Sequence, residues 1–397
     1  MRRLVGWQRE DLEDDEMTVT LADVAARARV SAATVSRVLN GNYPVATATR
    51  ERVLRAVDEL DYVLNGPASA LAARTSDLVG ILVHDIADPF FGIMAKAVQS
   101  AIGAAGGRAG GELLAVVCNT GGSPERELTY LTLLQRQRAA AVVLTGGAVE
   151  NPEHAAATAT KLRRLTDAGT RVVLCGRPPV PGTGAIALTF DDRDGALQLT
   201  RHLLDLGHRR IACLAGPEDR TTTRRRLAGH RAALAAQGLP DGRHMTLYGP
   251  YDRRAGYDGV VELLRRDPDL TAVVAANDTV ALGACAALRD LGLAVPDDVS
   301  VAGFDDLPAS VDAVPALTTV RLPLHATAAR AGRIATYREE PPPEGLVTVR
   351  GELVVRGSTG WHGAEAGRAE KAMAEGGESG DGRGRRPGAA KPGGAGG

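Results

Sequence analysis

The sequence predicts an α/β protein in which a small all-helical N-terminal domain precedes a larger region of two doubly wound lobes. Three observations predict this fold class. The chain has 397 residues, which exceeds one ordinary core and indicates two or three domains. Residues 20–40 have the apolar spacing of two short helices. From residue 78 onward, apolar runs alternate with helical segments, as in parallel sheets covered by helices, and the number of runs favours two sheets.

The first two helices are predicted from residues 20–40, which read TLADVAARARVSAATVSRVLN. Thr20, with Asp23 three residues later, matches a capping box at the start of the first helix, and Ser31 can cap the second. Seven apolar residues are spaced so that both helices share one small core: Leu21, Val24, Ala25, Ala28, Val30, Val35 and Val38.

A third helix is predicted from Val53, Val57 and Leu60, with Thr47 or Thr49 near its start. The domain boundaries follow from composition. The predicted units are a disordered extension at 1–17, the helical headpiece at 18–64, a linker with helix potential at 65–76, the two lobes at 77–361 and a disordered Gly-rich tail at 362–397.

The strands of the lobes are predicted from short apolar runs. We expect buried parallel strands at 79–83, 113–118, 141–144, 172–175, 185–190, 211–214, 272–276 and 300–304. Helical segments such as 125–135 lie between them.

Composition limits the function. The net charge is −1, which argues against a protein that coats DNA without sequence preference but not against a specific binder with a few placed arginines. The four cysteines lack CxxC spacing and are interpreted as reduced core residues. With neither a secretory segment nor an apolar run long enough to cross a membrane, we expect a cytoplasmic protein.

The second helix presents small and polar residues on one side, which suits a recognition helix in a DNA major groove. A capped amphipathic helix pair with no role in DNA binding is the alternative, because such pairs are common.

The headpiece resembles that of the lactose-repressor/galactose-repressor family of bacterial transcription regulators. The similarity rests on T-L-x-D-V-A, V-S and T-V-S-R-V-L-N within residues 20–40, and it continues through residues 49–53 and 60–62 to Asn65. The resemblance implies a headpiece and hinge helix joined to a periplasmic-binding-protein-like (type I) pair of lobes. It also implies a regulator, most often a repressor of carbohydrate genes, that binds a near-palindromic operator as a homodimer and a small-molecule effector, a sugar or sugar derivative, between the lobes.

The same resemblance implies the DNA-binding residues. Arg37, with Ala32 and Ala33, matches positions that face base edges, and Leu71 matches a hinge leucine that wedges into the minor groove. The remaining predicted contacts are with phosphate or are local caps: Thr20, Ser31, Thr34, Ser36 and Asn40. Arg37 as a solvated residue and Leu71 as an ordinary packing residue are the alternatives. Arg29 departs from the family, which has Gly in this turn.

The effector site is predicted where the few aromatic residues of the chain coincide with family positions. Aromatic faces beside carboxylates and arginines suit a polyhydroxylated ligand. The predicted residues are Asp88, Phe90, Phe91, Arg177, Phe190, Asp191, Arg226, Tyr251, Asn277, Phe304 and Asp305. For each of them a purely structural role is the alternative, and Asp278 is interpreted as a possible cap of the following helix.

No motif for catalysis is present. The sequence has no phosphate loop, nucleophile elbow or metal-ligand spacing, so we expect no enzymatic activity, cofactor or metal. A solute-binding receptor is the other class with the same lobes, but it requires a signal peptide and no headpiece.

Overall fold

The computed structural model describes residues 19–40, 45–60, 62, 76–103, 113–240 and 242–363. The predicted extension at 1–17 and Leu71 in the linker lie outside these ranges, as do the Asn40 side chain and nearly all of the tail at 362–397. The roles predicted for these residues stay predictions.

The headpiece consists of three helices, α1 (Leu21–Ala28), α2 (Ala32–Asn40) and α3 (Thr47–Glu59). The predicted capping box is confirmed, since the Thr20 hydroxyl accepts a hydrogen bond from the Asp23 amide and the Asp23 carboxylate accepts one from the Thr20 amide. At the start of α2 the Ser31 hydroxyl accepts a hydrogen bond from the Thr34 amide. Both caps satisfy backbone amides that a helix leaves unpaired.

Arg29 ends α1 in the left-handed conformation, with φ 53° and ψ 49°. A side chain in this conformation costs on the order of 1 kcal/mol relative to glycine. The turn keeps its hydrogen bonds, because the Arg29 and Val30 amides donate to carbonyls near the end of α1. The departure from glycine therefore weakens the turn without breaking it.

The headpiece helices share one core, as predicted. Its buried members are Val24, Ala25, Ala28, Val35, Val38, Val53 and Ala56. Leu21, Val30, Val57 and Leu60 pack against its edge.

The first lobe is built on a six-stranded parallel sheet. In chain order its first elements are β1 (Leu78–Val83), α4 (Pro89–Gly103), β2 (Leu114–Asn119), α5 (Pro124–Arg136), β3 (Ala141–Thr145), α6 (Pro152–Asp167), β4 (Arg171–Cys175) and β5 (Ile186–Phe190). Successive side chains of a strand point to opposite faces, so Ile81 faces the core beneath α4 while Leu82 packs with Leu131 of α5.

The second lobe contains a four-stranded parallel sheet. Its elements are α7 (Asp192–Asp205), β6 (Ile211–Ala215), α8 (Thr221–Ala236), β7 (Thr246–Tyr248), α9 (Arg253–Arg266), β8 (Ala272–Ala275), α10 (Asp278–Asp290), β9 (Ser300–Ala302), α11 (Pro308–Asp312) and β10 (Thr319–Arg321). The strand order is β7-β6-β8-β9. Two sheets with helices on both faces confirm the predicted pair of doubly wound lobes.

The chain crosses between the lobes three times. After β5 it enters the second lobe, and after β10 it returns through α12 (Leu324–Ala335) and β11 (Leu346–Val349). The order of the first sheet is therefore β2-β1-β3-β4-β5-β11. The chain then crosses again, and β12 (Glu352–Val354) pairs antiparallel with β10.

Two sequence predictions about the lobes are wrong. The run 113–118 is not a buried strand: β2 is the edge of its sheet, and Leu114 and Val116 are 64% and 38% exposed. Asp278 does not cap α10, because the Asn277 side chain accepts the hydrogen bond from the Val280 amide. No helix among the described residues is long and apolar enough to span a membrane.

Candidate functional site

A cavity of about 440 Å³, measured with its opening to solvent, lies between the two lobes. It is formed at the C-terminal ends of strands, where α/β folds place ligands. Eight predicted residues line it: Asp88, Phe90, Phe91, Phe190, Arg226, Tyr251, Asn277 and Asp305. Four unpredicted residues complete the lining: Gly146, Gly147, Gly176 and Thr222.

Phe91 and Phe190 lie directly on the backbone at the ends of β3 and β4. A Cβ at Gly146 would be 2.5 Å from a ring carbon of Phe91, and one at Gly176 would be 3.0 Å from the Phe190 ring. Both glycines have positive φ, at 72° and 78°. Glycine is therefore required at each position for two reasons, the positive φ of the backbone and the close approach of an aromatic ring.

Arg226 of α8 organises the polar wall of the cavity. Its Nε donates to Asp192 (2.9 Å), and its Nη2 donates to Asp305 (3.1 Å). Its Nη1 donates to the Ala276 carbonyl at 2.6 Å. The guanidinium also lies 3.7 Å from the centre of the Phe304 ring, a cation–π geometry. Phe304 thus supports Arg226 from below and does not line the cavity, contrary to the prediction.

Two further predicted residues do not line the cavity. Arg177 forms a two-pronged ion pair with Glu127, at 3.1 and 2.6 Å, inside the first lobe. Burial alone would raise the pKa of Glu127, but the Arg177 guanidinium holds it well below its usual range. Asp191 caps α7 by accepting a hydrogen bond from the Asp194 amide. Both assignments to the cavity lining are therefore wrong.

Asp88 stands on the wall formed by the first lobe. One carboxylate oxygen accepts a hydrogen bond from the Phe90 amide at 2.9 Å. Burial raises the pKa of this carboxyl, and the Phe90 amide acts in the opposite direction. From the second lobe, the Tyr251 hydroxyl is held by those of Thr222 and Thr223, at 2.9 and 2.7 Å.

Beside the cavity the lobes are joined by two short segments, residues 148–150 and 219–221, which we call the interlobe strap. The Thr221 amide donates to the Ala148 carbonyl (3.0 Å), and the Glu150 amide donates to the Asp219 carbonyl (2.7 Å). Arg224 forms an ion pair with Glu150, and Arg220 donates to the Gly122 carbonyl. The two lobes therefore contact each other directly beside the cavity.

In the headpiece, α2 turns its apolar side inward and exposes its predicted base-contacting residues. Val35 and Val38 are buried, while Ala32, Ala33 and Arg37 are exposed. The hydroxyls of Thr20 and Ser31 cap their helices, so their predicted phosphate contacts would be additional to a structural role.

Comparison with known proteins decides the relationship. Residues 20–65 match the family described as bacterial regulatory proteins, lacI family, and residues 200–359 match a periplasmic binding protein-like domain. The HTH-type transcriptional regulator GalS of Salmonella typhimurium is 37% identical over 317 residues, which cover 80% of this chain and 89% of GalS. This chain belongs to the lacI family.

Solved structures of lacI-family regulators have the same architecture. The transcriptional regulator CelR in complex with cellobiose is 33% identical, with a TM-score of 0.60 over 86% of this chain and 99% of CelR. The lac repressor dimer bound to operator and an anti-inducer is 27% identical, with a TM-score of 0.67 over 86% of this chain and 99% of the repressor chain.

The cavity residues that sequence reasoning missed in this lacI-family chain are small. Gly146 and Gly147 directly follow β3, and Gly176 directly follows β4. Glycine after a buried parallel strand was the available signal, since ligands bind at that edge and glycine allows close approach. Thr222 had no comparable signal. The ligand-binding and base-contacting roles themselves stay predictions.

Proposed function

We propose that this lacI-family regulator is a repressor whose binding to a near-palindromic operator is controlled by a sugar bound between the lobes. The observation that carries this proposal is the cavity itself: four aromatic side chains and a set of hydrogen-bonding groups converge on it from both lobes. In this proposal the protein is a cytoplasmic homodimer and works without a cofactor, a metal or enzymatic activity.

A sugar suits this lining because its C–H faces stack on aromatic rings while its hydroxyls bond to fixed polar groups. Phe91 and Phe190 offer the ring faces, and Asp88, Asn277 and Asp305 offer acceptors. The relative CelR, whose solved complex contains cellobiose, supports the same ligand class.

The sugar would act by changing how the lobes are arranged. Because it touches both lobes, it favours one relative position of the two, and a coupling of about 1–3 kcal/mol is enough to change operator occupancy substantially. We propose that this change reaches the DNA through the predicted hinge helices, each of which inserts Leu71 into the minor groove. A helix this short is marginal alone, so its formation can depend on the lobes.

A gel shift with DNA from upstream of the protein's own gene tests the regulator assignment. Arg37→Ala should weaken specific binding by about 1–3 kcal/mol, because a bidentate contact to guanine is lost. Arg55→Ala removes the same charge from α3 and serves as the control, which should weaken specific and non-specific DNA binding alike. If Arg37→Ala behaves like the control, the recognition role of α2 is wrong.

A thermal-shift screen with neutral mono- and disaccharides tests the sugar assignment. At least one sugar should raise the melting temperature and release the operator, and Phe91→Leu should weaken its binding at least about tenfold because a stacking face is lost. Tyr337→Leu, which removes an exposed aromatic ring outside the cavity, is the matched control. A sugar that stabilises both variants equally binds elsewhere.

A further inference from the structure

The single arginine of the cavity lining is already neutralised by the protein. Arg226 directs Nε to Asp192, Nη1 to a backbone carbonyl and Nη2 to Asp305. One positive charge therefore faces two buried carboxylates, with side-chain exposures of 3% and 4%. A ligand anion placed here would have to compete with carboxylates that are fixed in the fold.

Asp88 adds an uncompensated negative charge from the opposite wall. Its carboxylate bonds to the Phe90 amide, and no lysine, arginine or histidine among the described residues forms an ion pair with it. Asp88 and Asp305 come from different lobes and both line the cavity. Asp305 is bound to Arg226, and burial raises the pKa of its carboxyl well above the ordinary value. Asp88 is therefore the lining carboxylate that meets a ligand without a cation beside it.

Arg226 is the only cation among the described residues that line the cavity. Arg225 donates to the Thr189 hydroxyl, Arg220 to the Gly122 carbonyl and Arg177 to Glu127. None of the three belongs to the lining. The other lining groups that the structure describes are aromatic rings, glycines, a threonine and an asparagine, which carry no charge at neutral pH.

We infer that the effector is a sugar without any anionic group, because the one arginine of the lining is already paired and Asp88 repels the anionic groups of phosphorylated sugars and sugar acids. This inference rests on the proposed function and narrows its ligand class. An amino sugar, whose ammonium group is attracted by the Asp88 carboxylate, is accepted. A phosphate or carboxylate is repelled in a site where low dielectric strengthens the interaction.

A matched charge series tests the inference by titration calorimetry at low ionic strength. Glucose and galactose are each compared with their 2-amino, 6-phosphate and uronate derivatives, and cellobiose with cellobionate. In the series whose parent sugar binds, the neutral or amino sugar should bind to the protein. The phosphate or carboxylate derivatives of that sugar should bind at least about a hundredfold more weakly.

Asp88→Asn identifies the residue responsible. It removes the unpaired charge but keeps an oxygen that can accept the Phe90 hydrogen bond, so the ratio of anionic to neutral affinity should rise at least about tenfold. Asp205→Asn is the control, because Asp205 is exposed at the end of α7 and does not line the cavity. It should leave the ratio unchanged.

A sugar phosphate or uronate that binds as tightly as its neutral parent and releases the operator overturns the inference while leaving the sugar-controlled repressor intact. An unchanged ratio in Asp88→Asn also overturns it. If no member of any series binds while the gel shift still shows a specific operator complex, the sugar effector itself is wrong, and the inference is wrong with it.

Discussion

Arg226 is the residue on which the polar wall of the cavity depends. It joins Asp192, near the start of α7, to Asp305, which follows β9 and has an unusual φ of 107°. Three separate acceptors and the Phe304 ring beneath the guanidinium hold the Arg226 side chain in one position. The role of Arg226 is therefore to hold the polar groups of the cavity in place as much as to contact a ligand.

Removal of Arg226 should destabilise the second lobe and not only weaken ligand binding. Arg226→Ala leaves two carboxylates buried without a cation, so we expect a loss of about 3–5 kcal/mol in the free energy of unfolding. Chemical denaturation measures this loss. Arg225→Ala, which removes one partly buried hydrogen bond to Thr189, should cost about 1 kcal/mol. Equal losses in the two variants would contradict the central role of Arg226.

Asp278 should make stability depend on pH. Burial raises the pKa of its carboxyl to about 7, although hydrogen bonds from Thr319 and Leu307 oppose the rise. Between the ordinary value of 3.8 and about 7, the folded protein holds a proton that the unfolded chain has released. Stability therefore falls as the pH rises through this window, by at most about 1.4 kcal/mol per pH unit.

Asp278→Asn tests this dependence because an amide does not ionise. Its free energy of unfolding, relative to that of the unmodified protein, should increase as the pH is raised from 5 to 8. The exposed Asp312→Asn variant should show no such trend. A constant difference between Asp278→Asn and the unmodified protein across this range would mean that Asp278 ionises in the fold as it does in water.

At the scale of elements, the interlobe strap joins the two lobes beside the cavity. Thr221→Val combined with Glu150→Gln removes the side-chain bond to the Ala148 amide and the ion pair with Arg224. The lobes should then separate more readily. We expect a larger radius of gyration by small-angle scattering and several-fold faster dissociation of a bound sugar.

Glu153→Gln is the matched control for the strap. It changes the same chemical group at an exposed position in the first turn of α6, outside the strap. If the double variant keeps the radius of gyration and the dissociation rate of the control, the strap does not determine how the two lobes are arranged.

Continuous apolar runs made eight strands of the two lobes predictable, because a buried parallel strand leaves a continuous hydrophobic signal. The four missed strands lack it. β11 alternates exposed and half-buried residues, and β7, β10 and β12 have three residues each. Their pairing depends on partners distant in the chain, such as Val320 with Leu353, which a local pattern does not contain.

The cavity was predictable where residue type and strand position coincided, as for Asn277 after β8. The lining was not predictable where a candidate side chain is paired with another side chain of the protein. Arg177 has the chemistry of a ligand-binding residue, but its partner Glu127 lies on α5, fifty residues earlier. Phe304 is similar, since only the folded structure shows that Arg226 lies over it.

At the scale of the whole molecule, the exposed edge strand β2 predicts where two copies meet. Apolar side chains on an unpaired edge are a liability unless they are covered. Light scattering should give a mass twice the 41.3 kDa of one chain. Leu114→Glu combined with Val116→Glu should shift the protein to monomers and weaken operator binding.

Leu133→Glu is the control for the edge strand, because Leu133 is 46% exposed but lies on α5. A dimer that survives both changes in β2 is assembled through another surface. A monomeric unmodified protein at micromolar concentration would contradict the proposed homodimer.

The three crossings of the chain also constrain how the protein is made. The first lobe begins at β1, yet α12 and β11, which cover and complete its sheet, are close to the end of the described chain. During translation the first lobe cannot complete its fold until the whole second lobe has been synthesised, and part of its apolar core stays uncovered until then. A premature stop anywhere before residue 324 therefore damages the lobe that was translated first.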